Sequence, residues 1–279
     1  MTSCWRIIEN EPLDAYMNMA LDEALFESFC SQPYAKPIFR IYRWKSPAFS
    51  IGVSQKPQDI LDLDKCRAQN LAYVRRITGG GIILHDQEIT YSLVIPQGFC
   101  GSPRAISASF KAICEFLLIF YRKLGLNPSF AVNEPYNGVV GRSSQFCFAG
   151  REKYDIVIKG KKIGGNAQKR STKAIFQHGS IPLDIDRALV EKFTSLECTE
   201  ELRDVAALGE LVASLDTVEN LIRRLKDSFI EAFKIDACDS ILTQDELFSA
   251  QELNKEKYST DLWNITRYDT KRSKKASVA

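Results

Sequence analysis

The chain has 279 residues, of which 45% are hydrophobic and 26% are charged, with a formal net charge of +2 and a pI near 8.0. This composition is typical of a soluble globular protein and lacks the strongly basic balance of most nucleic-acid-binding domains. The apolar runs are too short to cross a membrane, and the first residues lack the core of a signal peptide. The eight cysteines form no Cys-x-x-Cys pair, which fits a reducing compartment better than a disulfide framework. We therefore expect a cytoplasmic protein with no nucleic-acid or membrane partner.

Helices and strands are predicted to follow one another along the whole chain. Helical spacing of apolar residues predicts helices over residues 12–29, 62–70, 107–124, 188–195, 217–233 and 244–254. Strand-forming runs predict strands over residues 38–42, 48–52, 72–76 and 90–95, and a mostly β region over residues 130–185. The first helix is predicted to be amphipathic, with one apolar stripe formed by Met17, Ala20, Leu21, Ala24 and Leu25. Asp14 is its candidate cap, and Gly125 is expected to end the third helix. Thr243 and Glu246 have capping-box spacing before the last helix.

Strands punctuated by helices, with hairpins among them, favour an α+β fold with a mixed or antiparallel sheet flanked by helices. The sequence shows no internal repeat or interdomain linker. Residues 1–265 are therefore expected to form a single domain, in which residues 187–265 make a mainly helical C-terminal subregion. Residues 266–279 are basic and are expected to form a solvated tail.

Residues 75–86 place two arginines directly before three glycines and end in a histidine and an aspartate. Glycine has no side chain in the way, so a ligand can approach the backbone N–H groups closely. Arg75 and Arg76 add positive charge that suits phosphate or carboxylate. The block therefore predicts a loop that holds an anionic ligand. A glycine-rich turn with solvated arginines is the alternative, because a glycine motif alone is weak evidence.

A second motif follows further along the chain, where Lys-Gly at residues 159–160 predicts a tight two-residue hairpin turn. With that turn, Val157 lies opposite Lys162. Side chains alternate along a strand, so Lys162 shares a face with Asp155 while Lys161 points the other way. A lysine beside an aspartate, facing a glycine-rich wall, could bind an anion or polarise a carbonyl. A surface hairpin with solvated lysines is the alternative.

Together the two motifs resemble those of the lipoate–protein ligase, octanoyltransferase and biotin ligase superfamily. The Arg-Arg-x-Thr-Gly-Gly-Gly-x-x-x-His-Asp pattern of residues 75–86 is similar to the glycine block of the lipoate ligase and octanoyltransferase branch. Residues 160–168 resemble the segment that carries the essential lysine of that branch, and the match falls on Lys162. Residues 176–181 resemble the His-Gly strand that follows, and the resemblance extends over residues 5–263. The Gly-Arg-Gly-Arg signature of biotin ligases is absent, so biotin is not the expected substrate.

This resemblance implies the catalytic fold shared by biotin and lipoate protein ligases, with a cleft for an acyl group. The residues it implies as cleft-lining are Arg75, Arg76, Thr78, Gly79, Gly80, Gly81, His85, Asp155, Gly164, Gly165, Asn166, Ala167 and His178. We expect the two histidines to act in binding rather than in proton transfer. Neither has a second histidine or a cysteine at metal-ligand spacing, so no metal site is predicted.

Cys147 bears on the branch within the superfamily. With Tyr154 and Asp155 it matches a Cys-Phe-x5-Tyr-Asp/Glu pattern similar to that of the cysteine-dependent octanoyltransferases, which is the closest pattern overall. ATP-dependent ligases usually carry Gly-Arg-Asn-Asp in this stretch, and this chain also has Gly-Arg at residues 150–151, so it mixes the two patterns. A thiolate at Cys147 could accept an acyl group from a thioester, with Lys162 favouring the thiolate and stabilising the oxyanion. A buried structural thiol is the alternative.

Three functions are open to this sequence. The favoured one is a protein lipoylation enzyme that transfers an octanoyl or lipoyl group from a carrier thioester, through Cys147, to a lysine of lipoyl domains. Its partners would be acyl carrier protein or another acyl donor, and apo lipoyl domains of 2-oxoacid dehydrogenase E2 subunits or the glycine cleavage H protein; no cofactor would be required. The second is an ATP-dependent lipoate–protein ligase that forms a lipoyl-adenylate. It would need ATP and Mg²⁺, with the phosphate on Arg75, Arg76 and the glycine amides and Asp155 near the metal. The third is a non-catalytic module that binds a lipoyl domain or a fatty acyl chain.

Overall fold

A computed structural model of the chain describes residues 4–101, 106–134, 152–195 and 202–269. The strands in these ranges are β1 (Trp5–Glu9), β2 (Ile38–Tyr42), β3 (Ala48–Ile51), β4 (Ala72–Arg75), β5 (Ile83–His85), β6 (Glu88–Pro96), β7 (Pro128–Phe130), β8 (Ile156–Ile158), β9 (Lys161–Ile163), β10 (Gly165–Arg170), β11 (Ala174–Pro182), β12 (Val205–Ala206) and β13 (Ala237–Ser240). The α-helices in these ranges are α1 (Ala15–Ser31), α2 (Leu63–Ala68), α3 (Ile106–Lys123), α4 (Arg187–Phe193), α5 (Val218–Phe233), α6 (Gln244–Leu253) and α7 (Asp261–Asn264).

The individually predicted helices and strands are confirmed, with boundaries that differ by a few residues at most. Their predicted ends are confirmed as well. Asp14 accepts a hydrogen bond from the backbone N–H of Met17 at 2.9 Å, as an N-cap does. Thr243 and Glu246 form the capping box of α6. Gly125 follows α3 with φ of +77°, a left-handed conformation that favours glycine.

A six-stranded mixed sheet forms the centre of the fold, with strand order β10-β11-β6-β2-β1-β13. The strands from β10 to β2 pair in antiparallel fashion. Strand β1 pairs in parallel with β2 on one side and with β13 on the other. The connection between β1 and β2 contains α1, as a parallel crossover requires. The predicted α+β fold with a mixed sheet is thereby confirmed.

Helices cover both faces of this sheet. On strand β2, Phe39 and Ile41 face a core that includes α3 and α5. Ile38 and Tyr42 alternate with them and face the core of α1 and α6 on the other side. Within the described ranges, no helix combines the length and apolar content that a bilayer crossing demands.

Two smaller sheets carry the motifs that the sequence singled out. The order β4-β3-β5 forms a three-stranded sheet from which the glycine loop emerges. The order β12-β9-β8-β7 contains the hairpin of residues 156–163. Its turn has Lys159 at φ +52° and Gly160 at φ +76°, which are the two left-handed residues of a type I′ turn. Val157 pairs with Lys162, so the predicted register is confirmed.

Helix α1 differs from its prediction, because it is not amphipathic. Its residues are buried on several sides from Asn18 to Phe26, including the polar side chains of Asn18, Asp22 and Glu23. The central sheet covers one side of the helix, and α6 with the residues after it covers another. A second buried side can hold polar groups only if they are hydrogen-bonded, and each of these three has partners.

Candidate active site

The hairpin of β8 and β9 positions Lys162 against Asp155. The ammonium Nζ of Lys162 lies 2.7 Å from Oδ2 of Asp155, and both side chains are more than nine-tenths buried. Oδ2 of Asp155 also accepts a hydrogen bond from the backbone N–H of Glu152 at 2.7 Å. Lys161, one residue earlier, is exposed. The turn therefore separates the two neighbouring lysines as predicted, and gives only Lys162 a buried carboxylate partner.

Arg76 shapes the glycine loop from within the protein. Its guanidinium donates hydrogen bonds to the carbonyl oxygens of Gly79 at 2.8 Å and Gly81 at 2.6 Å, and to the carbonyl and hydroxyl of Ser50. These bonds hold the carbonyl groups of the loop toward Arg76. Arg76 also lines the narrower of the two cavities described below.

Arg75 does not act as the sequence suggested. Its guanidinium donates to six backbone carbonyl oxygens at 2.8–3.1 Å, those of Gly52, Val53, Gln55, Trp263, Asn264 and Ile265. These bonds occupy all five guanidinium N–H groups. Burial, reinforced by the charge of Arg267, lowers the pKa of Arg75 to about 10, so the side chain stays charged at neutral pH. The expected contact with an anionic ligand therefore does not fit Arg75, which joins two backbone segments instead.

His178 lies between a carboxylate and a hydroxyl. Its Nε2 is 2.7 Å from Oγ1 of Thr78, and its Nδ1 is 3.6 Å from Oδ2 of Asp22. Burial lowers the pKa of His178 below its ordinary value of 6.5, although Asp22 opposes the shift. Burial favours a raised pKa for Asp22, but Arg40 at 2.7 Å and the contacts with His178 and Ser92 lower it below its ordinary value. His178 is thus neutral, and Asp22 is charged, at neutral pH.

Both ring nitrogens of His85 have hydrogen-bond partners, and one face of the ring is stacked. Nδ1 is 2.8 Å from Oε1 of Glu88, Nε2 is 2.7 Å from Oγ of Ser50, and the ring stacks on Trp44 with centroids 3.9 Å apart. Glu88 also accepts hydrogen bonds from Trp44 Nε1 and the hydroxyls of Thr90 and Ser180. Burial favours a raised pKa for Glu88, but the contact with His85 and the hydrogen bonds from Ser180 and Thr90 lower it below its ordinary value.

Glycines allow strands β9, β10 and β11 to pack closely at the wall of the site. Gly164 has φ of +74°, and a Cβ there would lie 2.1 Å from the carbonyl oxygen of Ser180. A Cβ on Gly179 would lie 2.2 Å from Oδ1 of Asn166 and 2.6 Å from the ring of Tyr91. This space lets the Tyr91 hydroxyl donate to Oδ1 of Asn166 at 2.6 Å. The two glycines therefore fix where Asn166 sits.

Two cavities meet at Asn166 and Ala167, which line both. The narrower has a volume of about 20 Å³, enough for one water molecule. Its lining includes both histidines together with Met19, Tyr42, Trp44, Ser50, Arg76, Ile83, Thr90, Gly165, Gly179 and Ser180. The wider has a volume of about 460 Å³, and its lining includes Gly79, Gly80, Ser107, Phe110, Glu152, Lys153, Tyr154, Asp155 and Gln168. We call them the crevice and the open cavity.

Most of the predicted cleft residues border one of these cavities. Three others contribute indirectly: Thr78 through its bond to His178, Gly81 through its bond to Arg76, and Gly164 through its packing on Ser180. Lys162 meets the open cavity through Asp155, which lines it. Cys147 lies outside the described residues, and so does the Gly-Arg pair at residues 150–151.

Several polar residues of the site were missed from the sequence. They are Asp22, Arg40, Trp44, Glu88 and Tyr91, all buried and hydrogen-bonded around the two histidines or Asn166. The available signal was weak: Asp22 and Arg40 are charged residues inside otherwise apolar helix and strand patterns. Such residues are seldom buried unless they are paired.

Residues 14–234 match the family model of the lipoyl protein ligase A/B catalytic domain. The chain belongs to this family. The resemblance predicted from the glycine and lysine motifs is thereby confirmed. The match covers the glycine loop, the hairpin and strands β10 and β11.

Curated relatives in this family are octanoyltransferases. The chain is 31% identical to octanoyltransferase LipM of Lysinibacillus sphaericus over 94% of its own length and 99% of that protein. It is 34% identical to octanoyltransferase LipM of Staphylococcus aureus with the same coverage. The chain is thus an enzyme, an acyltransferase of protein lipoylation, as the favoured reading of its sequence predicts.

Solved structures with the same fold are lipoate–protein ligases. Lipoate–protein ligase A bound with ATP superposes with a TM-score of 0.78 at 28% identity, over 94% of this chain and 98% of that one. A bi-partite lipoate–protein ligase from Thermoplasma acidophilum, studied with its E2 lipoyl domain, superposes with a TM-score of 0.77 at 26% identity, over 94% of this chain and 96% of that one. The ligase and transferase members thus share one architecture.

Proposed function

We propose that this acyltransferase moves an octanoyl group from a carrier thioester to Cys147, and then to a lysine of a lipoyl domain. In the first step the Cys147 thiolate attacks the thioester carbonyl, a new thioester forms on the enzyme, and the carrier thiolate leaves. In the second step the neutral amine of the acceptor lysine attacks that thioester. The amide forms, Cys147 leaves as thiolate, and the amine loses its extra proton.

The observation that carries the proposal is the buried Lys162–Asp155 pair, of which Asp155 lines the open cavity. A buried ammonium can stabilise the oxyanion that develops in both steps, because the surrounding protein screens its charge less than water does. Cys147 is five residues before Glu152, which lines the same cavity.

We assign the acyl chain to the crevice, which must widen from its volume of about 20 Å³ to admit eight carbons. Its lining combines the apolar surfaces of Met19, Trp44 and Ile83 with polar groups that are already hydrogen-bonded to other residues. A saturated chain needs contact with apolar surface and offers no hydrogen bonds in return. The carbonyl end would then lie at Asn166 and Ala167, where the crevice meets the open cavity.

For the partners, we propose an acyl carrier protein as donor, and lipoyl domains of E2 subunits or the H protein as acceptors. The T. acidophilum ligase of similar structure was studied with its E2 lipoyl domain, which supports an acceptor of that kind. We also propose a cytoplasmic location, because a nucleophilic thiol needs a reducing environment. The thioester already carries an activated acyl group, so this reaction requires neither ATP nor a metal ion.

The second candidate is an ATP-dependent ligase, favoured by the similarity to a ligase with bound ATP. The residues here fit a nucleotide only in part. Arg75, the predicted phosphate partner, donates its N–H groups to backbone carbonyl oxygens instead. Gly79 and Gly80 do border the open cavity, where backbone amides could meet a phosphate.

The deciding experiment offers an apo lipoyl domain two donors in parallel. One is octanoyl-acyl carrier protein without ATP, and the other is free lipoate with ATP and Mg²⁺. Mass spectrometry follows the acceptor and the enzyme, with Cys147→Ala as the test variant and the exposed-thiol variant Cys238→Ala as its matched control. ATP-independent transfer, with an acyl adduct that only Cys147→Ala loses, is the expected result. Modification only with ATP, undiminished in Cys147→Ala, would make the protein a ligase.

A further inference from the structure

A segment near the C-terminus, residues 257–265, is bonded to the strand that leads into the glycine loop. The side chain of Asn264 accepts the backbone N–H of Arg75 at 2.9 Å, and the indole N–H of Trp263 donates to the Arg75 carbonyl at 2.8 Å. The Arg75 guanidinium donates in return to the carbonyls of Trp263, Asn264 and Ile265. Five hydrogen bonds thus join one residue of β4 to one short turn of the chain. This segment lies beyond the residues that match the family model.

Arg75 also links the C-terminal segment to the glycine loop, which borders the open cavity. Its guanidinium also donates to the carbonyls of Gly52, Val53 and Gln55, and so fixes the turn after β3. That turn touches the glycine loop twice. The backbone N–H of Val53 donates to the carbonyl of Thr78 at 2.8 Å, and Gly52 packs so closely on Gly80 that a Cβ would lie 1.9 Å from the Gly80 carbonyl oxygen.

The same segment also holds α1 beside the crevice. The buried ammonium of Lys257 donates to both oxygens of Glu23 at 2.8 and 2.9 Å, and the hydroxyl of Tyr258 donates to Glu23 at 2.7 Å. Glu23 is the neighbour of Asp22, the carboxylate that faces His178. Residues 257–265 therefore contact both Arg75, which holds the turn beside the glycine loop, and helix α1, which carries Asp22 beside the crevice.

We infer that residues 257–265 are a positioning element for the acyl cleft, with Asn264 and Trp263 as positioning residues that act through Arg75. They touch no reacting atom. Through Arg75 they fix the positions of Thr78 and Gly80. These positions determine the distance between the glycine loop and Asn166 on the opposite side of the cleft. The inference rests on the proposed function for its account of what the cleft holds.

Asn264→Ala tests it, because the change removes the acceptor for the Arg75 N–H and leaves helix α7 a good helix former. Asp261→Asn is the matched control on the same helix. Asp261 bonds to Arg67 and Tyr73 at the surface and does not touch Arg75. Asn264→Asp keeps an oxygen acceptor for the Arg75 N–H but loses the Nδ2 donor to the Tyr258 carbonyl at 2.7 Å, so it separates the two hydrogen bonds of Asn264.

All variants are assayed as full-length chains at a temperature where circular dichroism shows each one folded. With octanoyl-acyl carrier protein and an apo lipoyl domain, Asn264→Ala should lower kcat/KM about 10- to 100-fold, since small misplacements of a cleft can have effects of that size. The relative kcat/KM for octanoyl and dodecanoyl donors should change as well. Asp261→Asn should stay within about twofold of the wild type, and Asn264→Asp should recover only the part of the loss that comes from the bond to the Arg75 N–H.

Equal losses in Asn264→Ala and Asp261→Asn, or wild-type kcat/KM in folded Asn264→Ala, would overturn the inference. Binding of octanoate, measured by isothermal titration calorimetry, is the second readout and needs no reaction. If the wild type fails to transfer octanoyl without ATP, the proposed function is wrong. The inference then stands if Asn264→Ala alone weakens octanoate binding, and fails if it does not.

Discussion

Replacing Asp155 by alanine should destabilise the fold by about 3–5 kcal/mol, the usual cost of removing one partner of a buried ion pair. The estimate applies because the Lys162 and Asp155 side chains are only 3% and 7% exposed, with their charged atoms 2.7 Å apart. The ammonium of Lys162 would lose its carboxylate in a place that water hardly reaches. The backbone N–H of Glu152 would lose its acceptor as well.

Changing both residues should cost less than changing Asp155 alone. In the double variant Asp155→Ala, Lys162→Met, no buried charge remains, and apolar groups often replace buried ion pairs with little loss of stability. Transfer activity should behave differently. Lys162→Met and the double variant should both lose about 10²- to 10³-fold in kcat, the range for removal of one oxyanion-stabilising group.

Urea denaturation followed by circular dichroism measures the free energy of unfolding of each variant. Glu231→Ala is the control, because its pair with Lys123 has the same 2.7 Å separation but is exposed to solvent. Such a surface pair contributes about 1 kcal/mol at most. If Asp155→Ala costs no more than Glu231→Ala, the burial argument is refuted. A double variant less stable than Asp155→Ala would show that the cost does not come from the remaining charge.

Three further predictions concern stability. Gly179→Ala should cost at least about 1–3 kcal/mol because its Cβ would overlap Oδ1 of Asn166, whereas Gly98→Ala, with open space around it, should stay within about 0.5 kcal/mol in the same urea titration. Because the pKa of His178 is lowered on folding, the unfolded chain binds that proton more tightly. Stability should therefore fall as the pH drops below 6.5 toward the lower pKa of the folded state, and a plot of urea midpoint against pH should be flatter there in His178→Gln. Arg75→Lys leaves only three side-chain N–H donors for six carbonyl oxygens. The free energy of unfolding should therefore fall by about 2–4 kcal/mol, which calorimetry or urea titration would detect. An unchanged free energy of unfolding would mean that these hydrogen bonds contribute little.

The hairpin shows what could be read from local sequence. A Lys-Gly pair between two short strand patterns specifies a two-residue turn, and the turn specifies the register. The register in turn places Lys162 on the inner face and Lys161 on the outer face. Every step of that argument uses residues within a few positions of one another. The buried lysine was therefore accessible from the sequence alone.

Arg75 and helix α1 show which features could not be predicted from the local sequence. An arginine next to a glycine loop has the same local pattern whether it meets a phosphate or a set of carbonyls, and half of its acceptors are about 190 residues away. The burial of Asp22 and Glu23 likewise depends on what packs on the second side of α1. Contacts between residues far apart in the sequence determine both the partners of Arg75 and the burial of α1. A local sequence pattern does not reveal such contacts. The nucleophilic role of Cys147 stays a prediction.

The parallel pairing of β1 with β13 has a consequence for how the chain is made. Trp5 leaves the ribosome about 230 residues before its partner Ala237. Domains begin to fold during synthesis, so β1 can join β2 long before β13 exists. For that interval one side of β1 presents unpaired N–H and C=O groups, the kind of edge that recruits strands from other chains. Translation that pauses before residue 237 should therefore leave a chain that is most prone to aggregate at the open side of β1.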